Sequence, residues 1–245
     1  MATRYRQPPI IEAIYEAHFA DAPGWSDLSY KLIEDSYRNR FGGQREEQRP
    51  VQLQVALSPG PVPVPTIVSE PPRIRLWTPD RGELVQFSRS MCAYNVLGNY
   101  NSFDTHITKV GEFFRAFLAM AQPSALDWAS QHYINKIQIP EDEEPSTFFA
   151  YYPNMPPAAR RQFSLQAATE VFDKGEVVLN LSYRGTEGGQ AVFFLEILAR
   201  SQPVVAPTAE ALVEWQTKAH AAVSRSFEAA LTDKCRQMFE RQEAT

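Results

Sequence analysis

From Ile10 to Phe19 the chain sets Glu12, Ile14, Glu16 and His18 in alternation with Ala13, Tyr15, Ala17 and Phe19. A period of two places successive side chains on opposite faces of a strand. Both sets carry bulk, which predicts a strand inside a sheet, away from a free edge. Asp21-Ala-Pro-Gly24 breaks it. A helix is predicted from about 26 to 39, with Leu28, Leu32, Ile33 and Tyr37 on its buried stripe and the glycines of Phe41-Gly-Gly43 as its C-cap. Val51 to Leu57 alternates again and reads as a strand. The prolines from Pro59 to Pro65, followed by Pro71-Pro72, remove donors and fix φ, so an extended surface loop of polyproline character is expected there. A stiff connection accounts for it more simply than a ligand for an aromatic-lined peptide-binding domain.

Arg73 to Trp77 and Leu84 to Arg89 flank the turn sequence Pro79-Asp-Arg-Gly82 and predict a hairpin, continued by Cys92 to Val96. A helix over 103–121 then buries Ile107, Val110, Phe113, Phe114, Phe117 and Leu118, and Pro123 ends it. Beyond this point the order recurs. Gln131 to Ile139 is a strand closed by Pro140 and the acidic run Glu141 to Glu144, which reads as solvated loop. Strands Phe163 to Val171, Glu176 to Arg184 and Gln190 to Arg200 follow as a meander joined by glycine turns. After Pro207-Thr208 one helix is predicted to about Glu240, with Leu212, Trp215, Ala219, Val223, Phe227, Leu231, Cys235 and Met238 on a continuous stripe. At ~1.5 Å per residue it would extend about 45 Å.

The predicted fold class is therefore α+β. It comprises two strand–helix–meander–helix halves, 1–123 and 124–245 (separate or fused into one domain), forming antiparallel sheets with helices packed on one side and a long C-terminal helix. By analogy the order resembles TATA-binding-protein-like or helix-grip arrangements, which do not by themselves imply a function.

Composition narrows the partners. The 245 residues carry a net charge of −5, the wrong sign for a general nucleic-acid binder. Cys92 and Cys235 are the two cysteines, far apart and without Cys-x-x-Cys spacing. Two buried small hydrophobes in a reducing, cytoplasmic compartment is the reading they favour. No apolar run approaches the ~20 residues that span a bilayer, so no membrane partner is expected.

Catalytic motifs are not found. His18, His106, His132 and His220 are scattered, without metal-ligand spacing, so neither a metal nor a cofactor is expected. His18 and His132 would converge if the halves were pseudo-symmetric, although structural roles explain each more readily. Glu12 and Glu16 share a strand face, where cross-strand ion pairing is their ordinary use. The hairpin is the most informative constellation. With Pro79 to Gly82 at its tip, Trp77 lies opposite Leu84, Arg75 opposite Gln86 and Arg73 opposite Ser88. Ile74, Leu76, Val85 and Phe87 then form a core face. Arg73, Arg75, Trp77 and Gln86, with Arg81 at the turn, form the other, which could bind a phosphate, a nucleobase or an acidic partner.

Four motifs occur in order: Pro8-Pro-Ile-Ile-Glu-Ala-Ile-Tyr-Glu-Ala-His-Phe19, Leu84-Val-Gln-Phe-Ser-Arg89, Tyr133-Ile-Asn-Lys-Ile-Gln-Ile-Pro140, and Ala219-His220 through Phe227-Glu228 to Thr232-Asp-Lys234 and Phe239. Together they resemble a sporadically distributed, uncharacterised bacterial family with a PPIVEAVFE-like N-terminus, a YINKIxIP-like central strand and a TDKLRELF-like late helix. Cys235 and Gln237 stand where that last run has Leu and Glu, a change of packing. The resemblance implies no catalytic residues. Its patchy distribution implies mobile or defence-associated genes. The expected role is thus a non-catalytic protein-interaction module, such as an antitoxin, an immunity factor or a defence-complex subunit. A small-ligand or nucleotide sensor using the arginine–tryptophan hairpin is the alternative, and an enzyme of unfamiliar type is the third.

Overall fold

The computed structural model describes residues 4–49, 51–56, 64–69, 71–98, 100–153, 163–172, 175–202, 206–239 and 241–242. In chain order the elements are β1 (Arg4–Tyr5), β2 (Ile10–Phe19), α1 (Asp27–Tyr37), β3 (Arg45–Gln48), β4 (Val51–Ala56), β5 (Val64–Ser69), β6 (Arg73–Trp77), β7 (Glu83–Ser88), β8 (Met91–Leu97) and α2 (Phe103–Ala121). They continue with β9 (Leu126–Pro140), β10 (Ser164–Phe172), β11 (Gly175–Glu187), β12 (Gln190–Ser201), α3 (Ala209–Ala230), α4 (Asp233–Gln237) and β13 (Arg241–Gln242). Nine strands form one antiparallel sheet in the order β10-β11-β12-β9-β2-β8-β7-β6-β3. β1 with β13, and β4 with β5, form separate two-stranded ribbons.

The alternation in β2 determines its place. Ala13, Tyr15, Ala17 and Phe19 are almost fully buried, while Glu12, Ile14, Glu16 and His18 are half-buried. β2 is hydrogen-bonded on one side to β8 and on the other to β9, so the expectation of an interior strand holds. The tight face continues through Val85, Phe87, Tyr94, Ile137, Leu179 and Ile197. Each of α1, α2 and α3 reaches this core. Tyr30 of α1 packs against Phe87, Phe113 of α2 meets Tyr94 edge-on, and Trp215 of α3 packs against Phe172. The predicted hairpin register is also observed: Trp77 pairs with Leu84 and Arg75 with Gln86, and Ile74, Leu76, Val85 and Phe87 are buried. Between β11 and β12, Glu187 pairs with Gln190 across Gly188 and Gly189, both at positive φ. That two-residue turn requires left-handed backbone, which glycine adopts without strain.

Four local expectations are corrected. In α1, Leu28 and Leu32 are exposed, and the inward stripe runs through Ser29 and Ile33. The helix is short and lies over the sheet with its tyrosines, so Tyr30, together with the expected Tyr37, supplies the contact that the leucines were expected to make. Its glycines do not form a left-handed cap, since the C-cap Arg38 is right-handed helical. Gly43 is instead needed for close approach: its N–H donates to the Trp77 carbonyl at 3.0 Å, and a Cβ there would lie 2.7 Å from the carbonyl oxygens of Trp77 and Thr78. Gly43→Ala is therefore expected to cost about 1–2 kcal/mol, read as a lowered urea midpoint; an unchanged midpoint would show that β6 yields freely.

Third, part of the proline run is a strand. Val64 and Pro65 belong to β5, pairing with Ala56 and Val55, as proline can in a two-stranded ribbon whose outer N–H positions need no partner. The stretch 57–63 lies outside the described residues. Fourth, the last helix is broken. Leu231 is extended, forms a β-bridge with Phe149, and is followed by Thr232, whose hydroxyl caps α4 by accepting from the Cys235 N–H. The Ala150 N–H donates to the Ala230 carbonyl, and Arg236 Nη1 donates to the carbonyls of Glu228 and Leu231. These bonds satisfy the end of α3, so its 22 residues extend only about 33 Å.

Two polar clusters tie the helices to the sheet. At one, Glu83 of β7 accepts from Arg40 at 2.7 Å, Lys109 of α2 at 2.8 Å and the Tyr94 hydroxyl at 2.8 Å, with His106 Nδ1 3.6 Å away. Burial alone would raise its carboxyl, but these four groups hold it well below the usual carboxylate range. At the other, the hydroxyls of Tyr15, Tyr100 and Tyr133 lie 2.9–3.5 Å from one another. The Tyr133 hydroxyl also meets His220 Nδ1 of α3 at 3.1 Å. His220 stacks on Phe103 at 4.3 Å, and burial pushes its imidazole down to about 4.

Candidate functional site

The half-buried face of the sheet carries the polar chemistry, and its geometry follows from strand register. β9 lies between β2 and β12, so each outward residue of β9 has one neighbour from each flanking strand. Ser130 is opposite Glu16 on β2 and opposite Arg200 on β12. One step along β9, His132 is opposite Ile14 and Leu198; one step the other way, Trp128 is opposite His18. A small residue surrounded by large ones on a pleated surface leaves a dimple. Here it has a volume of about 200 Å³, with Ser130 in its floor and Glu16, Arg200, Trp128, His132, Ile14 and Leu198 around it.

The walls are held in place. His18 stacks on Trp128 with centroids 3.7 Å apart and an interplanar angle of 18°. The Arg200 guanidinium carbon sits 4.5 Å from the Trp128 ring centre. Because β9 is between the strands that carry them, imidazole and guanidinium approach the indole from opposite sides, a cation–π and stacking ladder across three strands. Glu16 Oε1 lies 2.8 Å from His18 Nε2, and the Ser130 hydroxyl points at Glu16 Oε2 from 3.5 Å. His132 Nε2 is 3.4 Å from Glu196 Oε2. Burial pushes the His132 imidazole below its ordinary value, against the pull of Glu196, Glu12 and Glu16. Arg200 also has Glu176 of β11 as a register partner, and among the described residues no group of three His, Cys, Asp or Glu side chains is arranged to hold a metal ion.

The predicted hairpin residues occupy the same face further along the sheet, in two separate pairs. Arg75 Nε donates to Gln86 Oε1 at 2.8 Å, and Arg75 Nη1 is 3.9 Å from Glu46 Oε2. Gln86 Nε2 donates to Asn95 Oδ1 at 2.9 Å, and Asn95 Nδ2 to Glu12 Oε1 at 2.7 Å. Arg75 and Gln86 are thus links in a polar chain from β3 to β2, with the guanidinium already engaged. Arg81, at the turn in left-handed backbone, covers the Trp77 ring at 5.4 Å and donates to Gln44. Arg73 lies at the far end of β6, opposite Gln48. The register brings Arg75 to Gln86 and Arg81 to Trp77, but does not gather all five around one cavity.

The carboxylates and histidines behave differently from their sequence expectations. Glu12 and Glu16 do share a face, yet they bond to Asn95 and His18, not to arginine or lysine across the strands. His18 and His132 do fall on one face, on either side of the Glu16–Ser130 row. Trp128, Ser130 and Arg200 were missed. The strand was expected to begin at Gln131, whereas β9 starts at Leu126, and a small serine announces a depression only once its neighbours from β2 and β12 are known.

No protein-family model matches this chain, and neither a curated protein nor a solved structure matches it. No helix among the described residues is long and apolar enough to cross a membrane.

Proposed function

We propose that this chain is a recognition protein that binds a small polar ligand on the half-buried face of its sheet. The observation that carries this reading is the Ser130 depression, where an acid, a base and two locked aromatic systems converge on one small residue. With α1, α2 and α3 packed on the opposite side, β2, β9 and β12 keep half-buried or exposed side chains around the depression, where a ligand can enter. The site volume of about 200 Å³ exceeds the ~150 Å³ cavity that admits benzene. It falls below the ~300 Å³ where pockets for drug-sized ligands begin, which favours a small metabolite over a nucleotide. The polar chain through Arg75 and Gln86 supports the sheet on one flank. Of the roles expected from the sequence, ligand sensing has this geometry behind it; membership of a defence complex has the family resemblance.

Thermal denaturation with a panel of small charged metabolites tests the reading. A ligand at a hundredfold excess over its Kd stabilises by about 2.7 kcal/mol, or roughly 5–10 °C for a chain of this size. Ser130→Leu fills the depression between Glu16 and Arg200 while leaving both charged residues in the chain, and is expected to abolish that shift. Equal shifts in wild type and Ser130→Leu, or no shift with any compound, would overturn the site.

A further inference from the structure

We infer that the ligand of the Ser130 depression is amphoteric, an aliphatic molecule with an ammonium group at one end and a carboxylate at the other. This deepens the proposed function and rests on it. The inference follows from the row Glu16–Ser130–Arg200, in which both charged residues are register partners of the same serine. Their backbones are therefore two strand spacings apart, about 10 Å, with the hydroxyl of Ser130 between them. Acid and base face the same small volume from opposite sides, with a serine where a third large side chain would have bridged them.

The free hydrogen-bonding capacity at each end sets the polarity. The Arg200 guanidinium carbon sits 4.5 Å from the Trp128 ring centre, a contact with the ring that uses none of the N–H donors, and a guanidinium fork can take a carboxylate with two parallel bonds. At the other end, Glu16 has Oε1 engaged by His18, while among the described residues Oε2 has only the long 3.5 Å approach of Ser130. That oxygen is the acceptor for an ammonium. Along the strand direction Ile14 and Leu198 line the space, apolar surface suited to a short methylene chain. An anion alone would leave the Glu16 carboxylate facing it, and a cation alone would face Arg200. A ligand carrying both charges satisfies each without repulsion.

Isothermal titration with γ-aminobutyrate and lysine, against butyrate and butylamine, tests the assignment. A charge-assisted hydrogen bond contributes roughly a factor of 10–100 in affinity, so each singly charged analogue is expected to bind at least about tenfold more weakly. Arg200→Gln, at an exposed position, should abolish the preference for γ-aminobutyrate over butylamine. Glu16→Gln, which keeps the size and the hydroxyl contact, should abolish the preference over butyrate. Butyrate or butylamine binding as tightly as γ-aminobutyrate, or preferences unchanged in both variants, would overturn the amphoteric assignment while leaving the small-ligand site standing. Failure of these four compounds and of the whole metabolite panel to bind would overturn both.

Discussion

Replacing Glu83 by alanine is expected to remove about 3 kcal/mol of stability, the largest loss for any single substitution considered for this fold. The carboxylate side chain is 15% exposed and is shared by Arg40 and Lys109, so its removal leaves two cations facing each other without the carboxylate that bridges them. Breaking a buried ion pair from one side costs about 3–5 kcal/mol. The low end applies because Arg40 and Lys109 retain 30% and 37% exposure and are partly screened by water. At roughly 2–4 °C per kcal/mol for a chain of this size, the melting temperature should fall by about 6–12 °C. Glu83→Gln keeps the shape and tests the charge, and its loss should fall between wild type and alanine. Thermal and urea denaturation of both variants provide the measurement. A Glu83→Ala variant as stable as wild type would show that Arg40, Lys109 and Tyr94 rearrange without cost and that the cluster does not pin the helices.

The second large effect is acid destabilisation centred on His220. Its folded-state value is lowered to about 4, whereas an unfolded histidine titrates near 6.5. Above about 6.5 the ring is neutral in both states. As the pH falls from there towards 4, the unfolded chain takes up a proton that the folded chain refuses, and stability is lost across that interval. A shift of this size corresponds to about 3 kcal/mol for a fully shielded group; partial exposure of the ring reduces the expectation to about 2 kcal/mol. His132, lowered by burial, acts in the same direction. Glu83 acts later: its depressed carboxyl contributes stability above the ordinary glutamate range, and that contribution is lost only as the pH falls below about 4.3. Unfolding free energies measured between pH 7 and pH 4 should therefore decline in wild type and decline by about 2 kcal/mol less in His220→Phe, where Tyr133 keeps its bonds to Tyr15 and Tyr100. Parallel declines in the two proteins would remove His220 as the cause.

How much of this was legible beforehand depended on the range of the signal. The β2 alternation, the β6–β7 register and the β10–β12 meander are written in neighbouring residues, and they could be read. Half of the α1 stripe failed: Ile33 and Tyr37 pack inward as expected, but Leu28 and Leu32 are apolar in the sequence and face outward in the fold, with Ser29 and Tyr30 inward in their place. The break in α3 failed because it is made by Phe149, 82 residues upstream of Leu231. The candidate site was the least legible part. Ser130 is separated from Glu16 by 114 residues, and Arg200 lies on a third strand. Only the β2–β9–β12 register brings them together, and that register is set by burial of the opposite face.

The position of β2 has a consequence for biogenesis. It leaves the ribosome well before β8 and β9, yet it ends up in the middle of the sheet, bonded to β8 on one side and β9 on the other. During synthesis it has both hydrogen-bonding edges open until residues 91–97 emerge, and one edge open until 126–140 follow. With an apolar face of Ala13, Tyr15, Ala17 and Phe19, such a ribbon is a template for unwanted strand pairing. Its partner strands are distant in the chain, so closure is slow. The nascent polypeptide thus depends on shielding of β2 for the time needed to make the residues that lead from Phe19 to the end of β9 at Pro140.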